Sequence, residues 1–191
     1  MNISEHQLQQ IYPYARRQAG IFLPALNDAM GRRQINTAQR QAAFLAQVGH
    51  ESGQLRYVRE VGNDHSLKRY EKGALARLLG NDIEVPGDGP RYRGRGLLQV
   101  TGRTNYLNCS MALFGDRRLL KTPELLEQTH WAAESAAWYW WSKGLNALAD
   151  RDDFITITRR INGGLNGLQE RVELWERARA VLCLSPVLSQ D

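Results

Sequence analysis

Apolar residues recur at helical spacing over most of the chain. Ser4 followed by Gln7 has the form of a capping box, and the pattern predicts a helix from there to about Ala19. Phe22, Leu26, Ala29 and Met30 share one face of a predicted second helix over Phe22–Arg33. Thr37 is placed to cap a third, which runs to Glu51 or Ser52 with Gly53 as its stop. The centre of that segment, Ala42-Ala43-Phe44-Leu45-Ala46, is apolar on nearly all sides, and such a helix is a buried one.

The pattern breaks between about 62 and 92. Gly62, Asn63, Gly73, Gly80, Asn81, Pro86, Gly87, Gly89 and Pro90 predict loops around one short helix, Leu67–Leu79. Leu97–Thr101 reads as a short extended run closed by Gly102. The helical pattern returns at Thr122-Pro123, with the Thr as cap and the Pro at the first helical position. An aromatic helix follows over Trp131–Trp141. Asp152 or Asp153 caps a helix ending near Ile161, and Leu168–Leu182 forms the last one. Asn162-Gly163-Gly164-Leu165-Asn166-Gly167 separates those two. The expected architecture is mainly α, with at most a very small β element. It is a single domain over residues 1–191, with a small loop-rich lobe at about 62–92 between two helical regions.

Composition narrows the classes of function. The chain has 191 residues, 42% hydrophobic and 24% charged, which suits one packed domain and excludes disorder and fibrous repeats. Its longest apolar stretches are too short to span a bilayer, so no stable membrane insertion is expected. Met1 to His6 carries no basic n-region or apolar h-region, so no secretory signal is read there. Cys109 and Cys183 supply no disulfide framework and read as reduced thiols of a protein made in a cytoplasm. The net charge of +5 points to a polyanionic partner such as an anionic cell wall. The basic residues fall in scattered doublets (Arg16-Arg17, Arg32-Arg33, Arg117-Arg118, Arg159-Arg160), the pattern of a solvated surface, so no nucleic-acid partner is expected.

Several chemistries can be tested against the residues. A helical zinc site needs a second His four positions after His50, and Gln54 stands there, so no metal is expected. Gly94 and Gly96 do not open a nucleotide loop, because Gln99 occupies the third glycine position. No Gly-x-Ser-x-Gly elbow exists, and Cys109 lacks a nearby base. No cofactor is expected. Carboxylates remain. Glu51 lies in the last turn of the apolar helix, where burial and the negative helix end both favour the protonated carboxyl that a general acid requires; the bland alternative is a surface glutamate in a fraying turn. Glu60 lies beyond Gly53, so the two are not on one helix face, but a loop between them can set them across a groove as a two-carboxylate glycosidase needs.

Three segments carry a resemblance. Phe44-Leu45-Ala46-Gln47-Val48-Gly49-His50-Glu51-Ser52-Gly53 is the first. Tyr92-Arg93-Gly94-Arg95-Gly96-Leu97-Leu98-Gln99-Val100-Thr101-Gly102-Arg103-Thr104-Asn105-Tyr106 is the second, and Ile161-Asn162-Gly163-Gly164-Leu165-Asn166-Gly167 the third. In this order they resemble glycoside hydrolase family 19, and within it the single-domain phage and prophage endolysins. The resemblance covers about residues 37–182. It implies a lysozyme-like, two-lobed helical fold with a substrate groove, and an inverting glycosidase whose carboxyl groups stand roughly 6.5–9.5 Å apart. By motif position, Glu51 resembles the family's acid and Glu60 the second glutamate of the endolysin branch. Glu60 is thus the candidate base, with Glu71 or Asp64 as alternatives. Thr101 falls where the family holds the attacking water. Gln99, Asn105, Tyr106 and Asn162 match groove-lining positions; their alternative role is support of turns and helix ends. Arg93 and Arg95 are placed to hold the acidic pair, and Arg171 can do so from the last helix; a plain structural salt bridge is the competing role. The implied substrate is bacterial peptidoglycan, or chitin oligomers, acted on by a monomer; the alternative from another class is a carbohydrate-binding relative that kept the fold and lost activity, against which Glu51, Glu60 and Thr101 all stand in place. Such a protein would be made in a bacterial cytoplasm and act at the cell wall after holin-type release or injection. Of the run Trp138, Tyr139, Trp140 and Trp141, at most one or two can reach a groove, since consecutive helical residues face different ways.

Overall fold

The computed structural model describes residues 2–62, 64–84 and 86–183, with only the backbone of 64 and 65. Helices dominate: α1 (Glu5–Ile11), α2 (Arg17–Arg32), α3 (Ala38–Glu51), α4 (Asp64–Leu67), α5 (Gly73–Leu79), α6 (Asp88–Arg91), α7 (Arg103–Phe114), α8 (Arg118–Lys121), α9 (Thr129–Ser142), α10 (Leu145–Ala149), α11 (Phe154–Asn162) and α12 (Leu168–Val181). Among the described residues, β pairing is limited to the isolated bridges Arg59–Arg95 and Arg95–Val100.

α3 is the central helix, with every residue from Gln41 to Gly49 buried. α12 packs along it and α2 packs on α9. The main core joins residues of α1, α2, α3, α9, α10, α11 and α12, including Leu8, Leu26, Phe44, Trp140 and Leu174. Gly49 lets α1 approach: a Cβ there would stand 2.5 Å from Tyr12 Cε1. A second, smaller cluster of Tyr92, Val100, Tyr106, Cys109, Leu119, Leu126 and Trp138 lies under the other side of α9. The loop-rich segment with α4, α5 and α6 adjoins it.

The capping box at Ser4 and Gln7 forms, and Thr37 and Asp153 cap α3 and α11 through their side chains. Other expectations are corrected. The first predicted helix stops at Ile11, because Pro13 lacks an N–H and disfavours helical backbone at Tyr12. α2 therefore begins at Arg17 and tolerates Pro24 within it. The helix expected over Leu67–Leu79 is broken into α4, a 3-10 turn at Lys68–Tyr70, and α5, where Gly73 takes φ 73°. Instead of an extended run over Leu97–Thr101, residues 96–99 form a turn with Gln99 at φ 54°, and Val100 bridges back to Arg95. Pro123 does open a helical turn, of 3-10 type, but the Thr122 side chain makes no capping bond. The sequence pattern does not predict α6, α7, α8 or α10.

Candidate active site

Glu51 ends α3, where the helix delivers it from the core to a groove of 590 Å³. The groove is lined by Glu51, Glu60, Gln99, Thr101 and Asn162, together with Tyr57, Arg59, Val61, Arg69, Tyr70, Leu75, Leu79, Leu98, Tyr139 and Ile161. Five of the sequence candidates thus converge from α3, the 57–61 strand-like segment, the 94–101 turn and the end of α11.

Glu51 does not sit among apolar side chains alone. The buried Arg171 of α12 donates from Nη2 to Glu51 Oε1 at 2.5 Å. The same guanidinium donates to Gln47 Oε1 at 2.5 Å and to the Asn166 carbonyl at 3.2 Å. Gln47 in turn donates to Thr158 Oγ1 at 2.9 Å. This buried network ties α3, α11, α12 and the 163–167 turn to one another, and Glu51 is its groove-facing end. Next to it, His50 Nδ1 stands 2.9 Å from Glu170 Oε2 without the alignment of a hydrogen bond. Tyr139 also faces Glu51; burial pushes its phenol up, and the Glu51 carboxylate adds to the rise.

Glu60 accepts from three donors. Arg69 Nη2 reaches Oε1 at 2.8 Å and the Tyr70 hydroxyl donates to the same oxygen at 3.0 Å. The Gly94 N–H donates to Oε2 at 3.2 Å, while the Glu60 N–H returns a bond to the Gly94 carbonyl at 2.8 Å. Arg69 also donates to the Tyr70 oxygen at 2.8 Å, which closes the triangle. Burial pushes the Tyr70 phenol up despite the pull of Arg69, so the hydroxyl remains a donor to Glu60. A set of donors suits a carboxylate, which when ionised can only accept. Oε2 accepts the single longer bond from Gly94, so it has capacity for a further donor.

Thr101 and Gln99 meet Glu60 at Gly94. A Cβ on Gly94 would lie 2.6 Å from Gln99 Oε1 and 3.1 Å from Thr101 Oγ1. The Thr101 hydroxyl donates to the Gln99 carbonyl at 2.9 Å, which leaves its oxygen free to accept. Thr101 Oγ1 and Glu60 Oε2 thus both lie close to Gly94, as two acceptors available to a water.

The other candidates lie elsewhere. Tyr106 is fully buried and Arg95 is 4% exposed. The Tyr106 hydroxyl donates to the Arg93 carbonyl at 2.7 Å, and Arg95 binds Glu127 at 2.7 Å and Tyr106 at 3.0 Å. Both support the turn from beneath and do not line the groove. Asn105 donates to the Thr101 carbonyl at 2.8 Å, so it braces the turn that carries Thr101. Arg93 donates to the Pro90 carbonyl at 3.0 Å and lines a neighbouring depression; it does not contact either glutamate. The countercharges are instead Arg171 for Glu51 and Arg69 for Glu60. Glu71 accepts from the Gly87 N–H at 2.8 Å and does not line the groove; the Asp64 side chain lies outside the described residues. Asn162 lines the groove at the end of α11 and donates to the Asn166 carbonyl at 3.3 Å.

Sequence reasoning missed Arg69 and Tyr70, whose signal was weak: an Arg-Tyr doublet inside a segment without periodicity. It also missed Tyr57, Val61 and Leu75, exposed apolar side chains that give the groove faces against which a sugar ring can pack. Of the aromatic run, Tyr139 alone lines the groove; Trp138 and Trp140 are core and Trp141 is exposed. Cys109 is buried, and burial pushes its thiol up to about 12. Among the described residues no three His, Cys, Asp or Glu side chains gather as a metal cluster.

No family model matches the chain. A Haemophilus influenzae protein described as a glycosyl hydrolase family 19 domain-containing protein is 32% identical, over 92% of this chain and 94% of that one. An Arabidopsis thaliana endochitinase is 32% identical over 64% of this chain and 39% of its own length. Among solved structures, chitinase C from Streptomyces griseus HUT6037 superposes with a TM-score of 0.74 at 28% identity, covering 98% of this chain and 96% of that one.

Proposed function

The chain belongs to glycoside hydrolase family 19, and from that premise we propose that it hydrolyses the glycan strands of bacterial peptidoglycan with inversion at the anomeric carbon. The observation that carries the mechanism is that Glu51 and Glu60 line one groove from separate elements, with Thr101 and Glu60 both close to Gly94. Glu51 gives its proton to the glycosidic oxygen as the bond from that oxygen to the anomeric carbon breaks. A water held by Thr101 and Glu60 attacks the opposite face of that carbon and passes a proton to the Glu60 carboxylate. Thr101 accepts one water hydrogen and Glu60 the other, which turns a water lone pair toward the sugar. The net addition is one water; exchange with solvent restores both carboxyl groups.

Support for an acidic polymer comes from the +5 net charge. The chitin reading has its own support in the relatives, an endochitinase and a chitinase. Product analysis on purified peptidoglycan and on chitin oligomers separates the two. The mechanism is tested by proton NMR of the first product formed, which should carry the inverted anomeric configuration. In Glu60→Ala, azide should occupy the water position and restore turnover as a glycosyl azide of inverted configuration, because azide needs no deprotonation. Retained configuration in the wild-type product would mean a covalent intermediate and would sink the scheme.

A further inference from the structure

The Arg16-Arg17 doublet has no part in the groove. The break at Pro13 turns the chain so that Tyr14, Arg16 and Arg17 face the loop that leaves α3, and a cavity of 410 Å³ lies between them, lined also by Gln54 and Arg56. Among the described residues, none of these three arginines makes an ion pair. Gln54 is 8% exposed. Its Oε1 accepts from the Tyr14 N–H at 3.0 Å, and its Nε2 has no partner in the protein. Arg16 and Gln54 hold φ of 47° and 58°, backbone that L side chains seldom adopt. The walls therefore present guanidinium groups and an amide donor, with no acidic side chain among the lining residues. That set calls for acceptor oxygens carrying negative charge, and guanidinium matches carboxylate in both charge and shape.

The cavity lies on the way to the catalytic groove, one depression removed from it. Arg56 lines it and an adjoining depression that contains Tyr57, Arg59, Glu60 and Arg93. Tyr57, Arg59 and Glu60 in turn line the groove. We propose that the Arg16, Arg17, Arg56 and Gln54 cavity binds the carboxylates of the acidic peptide stems carried by the polymer whose glycan lies in the groove. This rests on the peptidoglycan reading. A neutral N-acetylglucosamine polymer has no group to place there.

The test compares wild type with Arg16→Gln/Arg17→Gln on intact peptidoglycan and on the same glycan stripped of its stems by an amidase. The variant should raise KM on intact peptidoglycan about 5- to 10-fold, the loss of two exposed charge contacts, with kcat unchanged. On the stripped glycan its KM should equal that of wild type. An equal rise on both substrates, or none on either, overturns the proposal. A second measurement does not depend on cleavage: NMR titration of wild type with the tripeptide L-alanyl-γ-D-glutamyl-diaminopimelate. Saturable shifts at Arg16, Arg17 and Gln54, lost in the variant, support the site even if the enzyme fails to cut peptidoglycan. Absence of those shifts overturns it even if peptidoglycan is cut.

Discussion

Gly94 leaves out a side chain where three groups must meet. Its N–H holds Glu60, and the space a Cβ would take is occupied by Gln99 Oε1 and Thr101 Oγ1. Gly94→Ala should therefore push the Thr101 hydroxyl and the Gln99 amide away from the water position. A displacement near 1 Å costs roughly 10²-fold in rate, so kcat should fall by about that factor with KM little changed. A kcat within twofold of wild type would show that the turn can yield without loss. Glu51→Gln tests the acid. Gln can still accept from Arg171 but has no proton to give, and the loss of general acid catalysis is ~10²–10⁴-fold. The variant also leaves Arg171 without its countercharge. Because the Glu51 side chain is 20% exposed, water screens that loss to ~1–2 kcal/mol. Circular dichroism melts should show a folded but somewhat less stable protein. Retention of more than a tenth of wild-type activity would remove Glu51 from the acid role.

Between elements, charged ties hold α3 at both ends. Arg171 of α12 grips its C-terminal end, and Arg40 near its N-terminus forks onto Asp150 after α10 with two bonds of 2.7 Å. The Arg40 guanidinium holds the Asp150 carboxyl below its ordinary value. A carboxyl lowered on folding adds stability that is fully present above its unfolded value of ~3.9 and fades as pH falls through the lower folded value. Both side chains are partly exposed, so the contribution is about 0.5 kcal/mol. Asp150→Asn should be less stable than wild type in urea at pH 7, and the gap should close below about pH 3.9. A gap that persists at pH 3 would mean that shape, rather than charge, holds this contact. Of the helices that were legible from sequence, α2, α3 and α9 bury broad apolar faces, α11 carries a side-chain cap, and α12 is set off by the glycine-rich turn before it. α7 was not legible because its buried residues, Tyr106, Cys109 and Ser110, make a narrow and partly polar stripe. The groove residues Glu51, Glu60, Gln99, Thr101 and Asn162 could be named from their motifs. The partners of the two glutamates could not. Arg93 and Arg95 flank Gly94 in sequence, but one turns to a neighbouring depression and the other into the second core, a choice in which tertiary contacts with Gly62 and Glu127 take part. Arg69 reaches Glu60 only because the lobe between α4 and α5 folds back over it, and no local pattern records that.

For the molecule as a whole, charge and groove chemistry act over different distances. A net +5 raises the concentration of the enzyme near any anionic wall. That attraction acts through solvent, where salt screens it within ~8–10 Å. Contacts made inside the groove, where Glu51 and Glu60 are each held by an arginine and largely shielded from water, respond far less. Raising salt from low to physiological strength and beyond should therefore slow lysis of outer-membrane-permeabilised Gram-negative cells more than hydrolysis of a short neutral chitooligosaccharide. The two assays share the groove and the catalytic steps, so the difference between them isolates the long-range part. If the oligosaccharide rate falls as steeply as the lysis rate, salt acts on the ion pairs of the groove, and the +5 charge has no part in finding the wall.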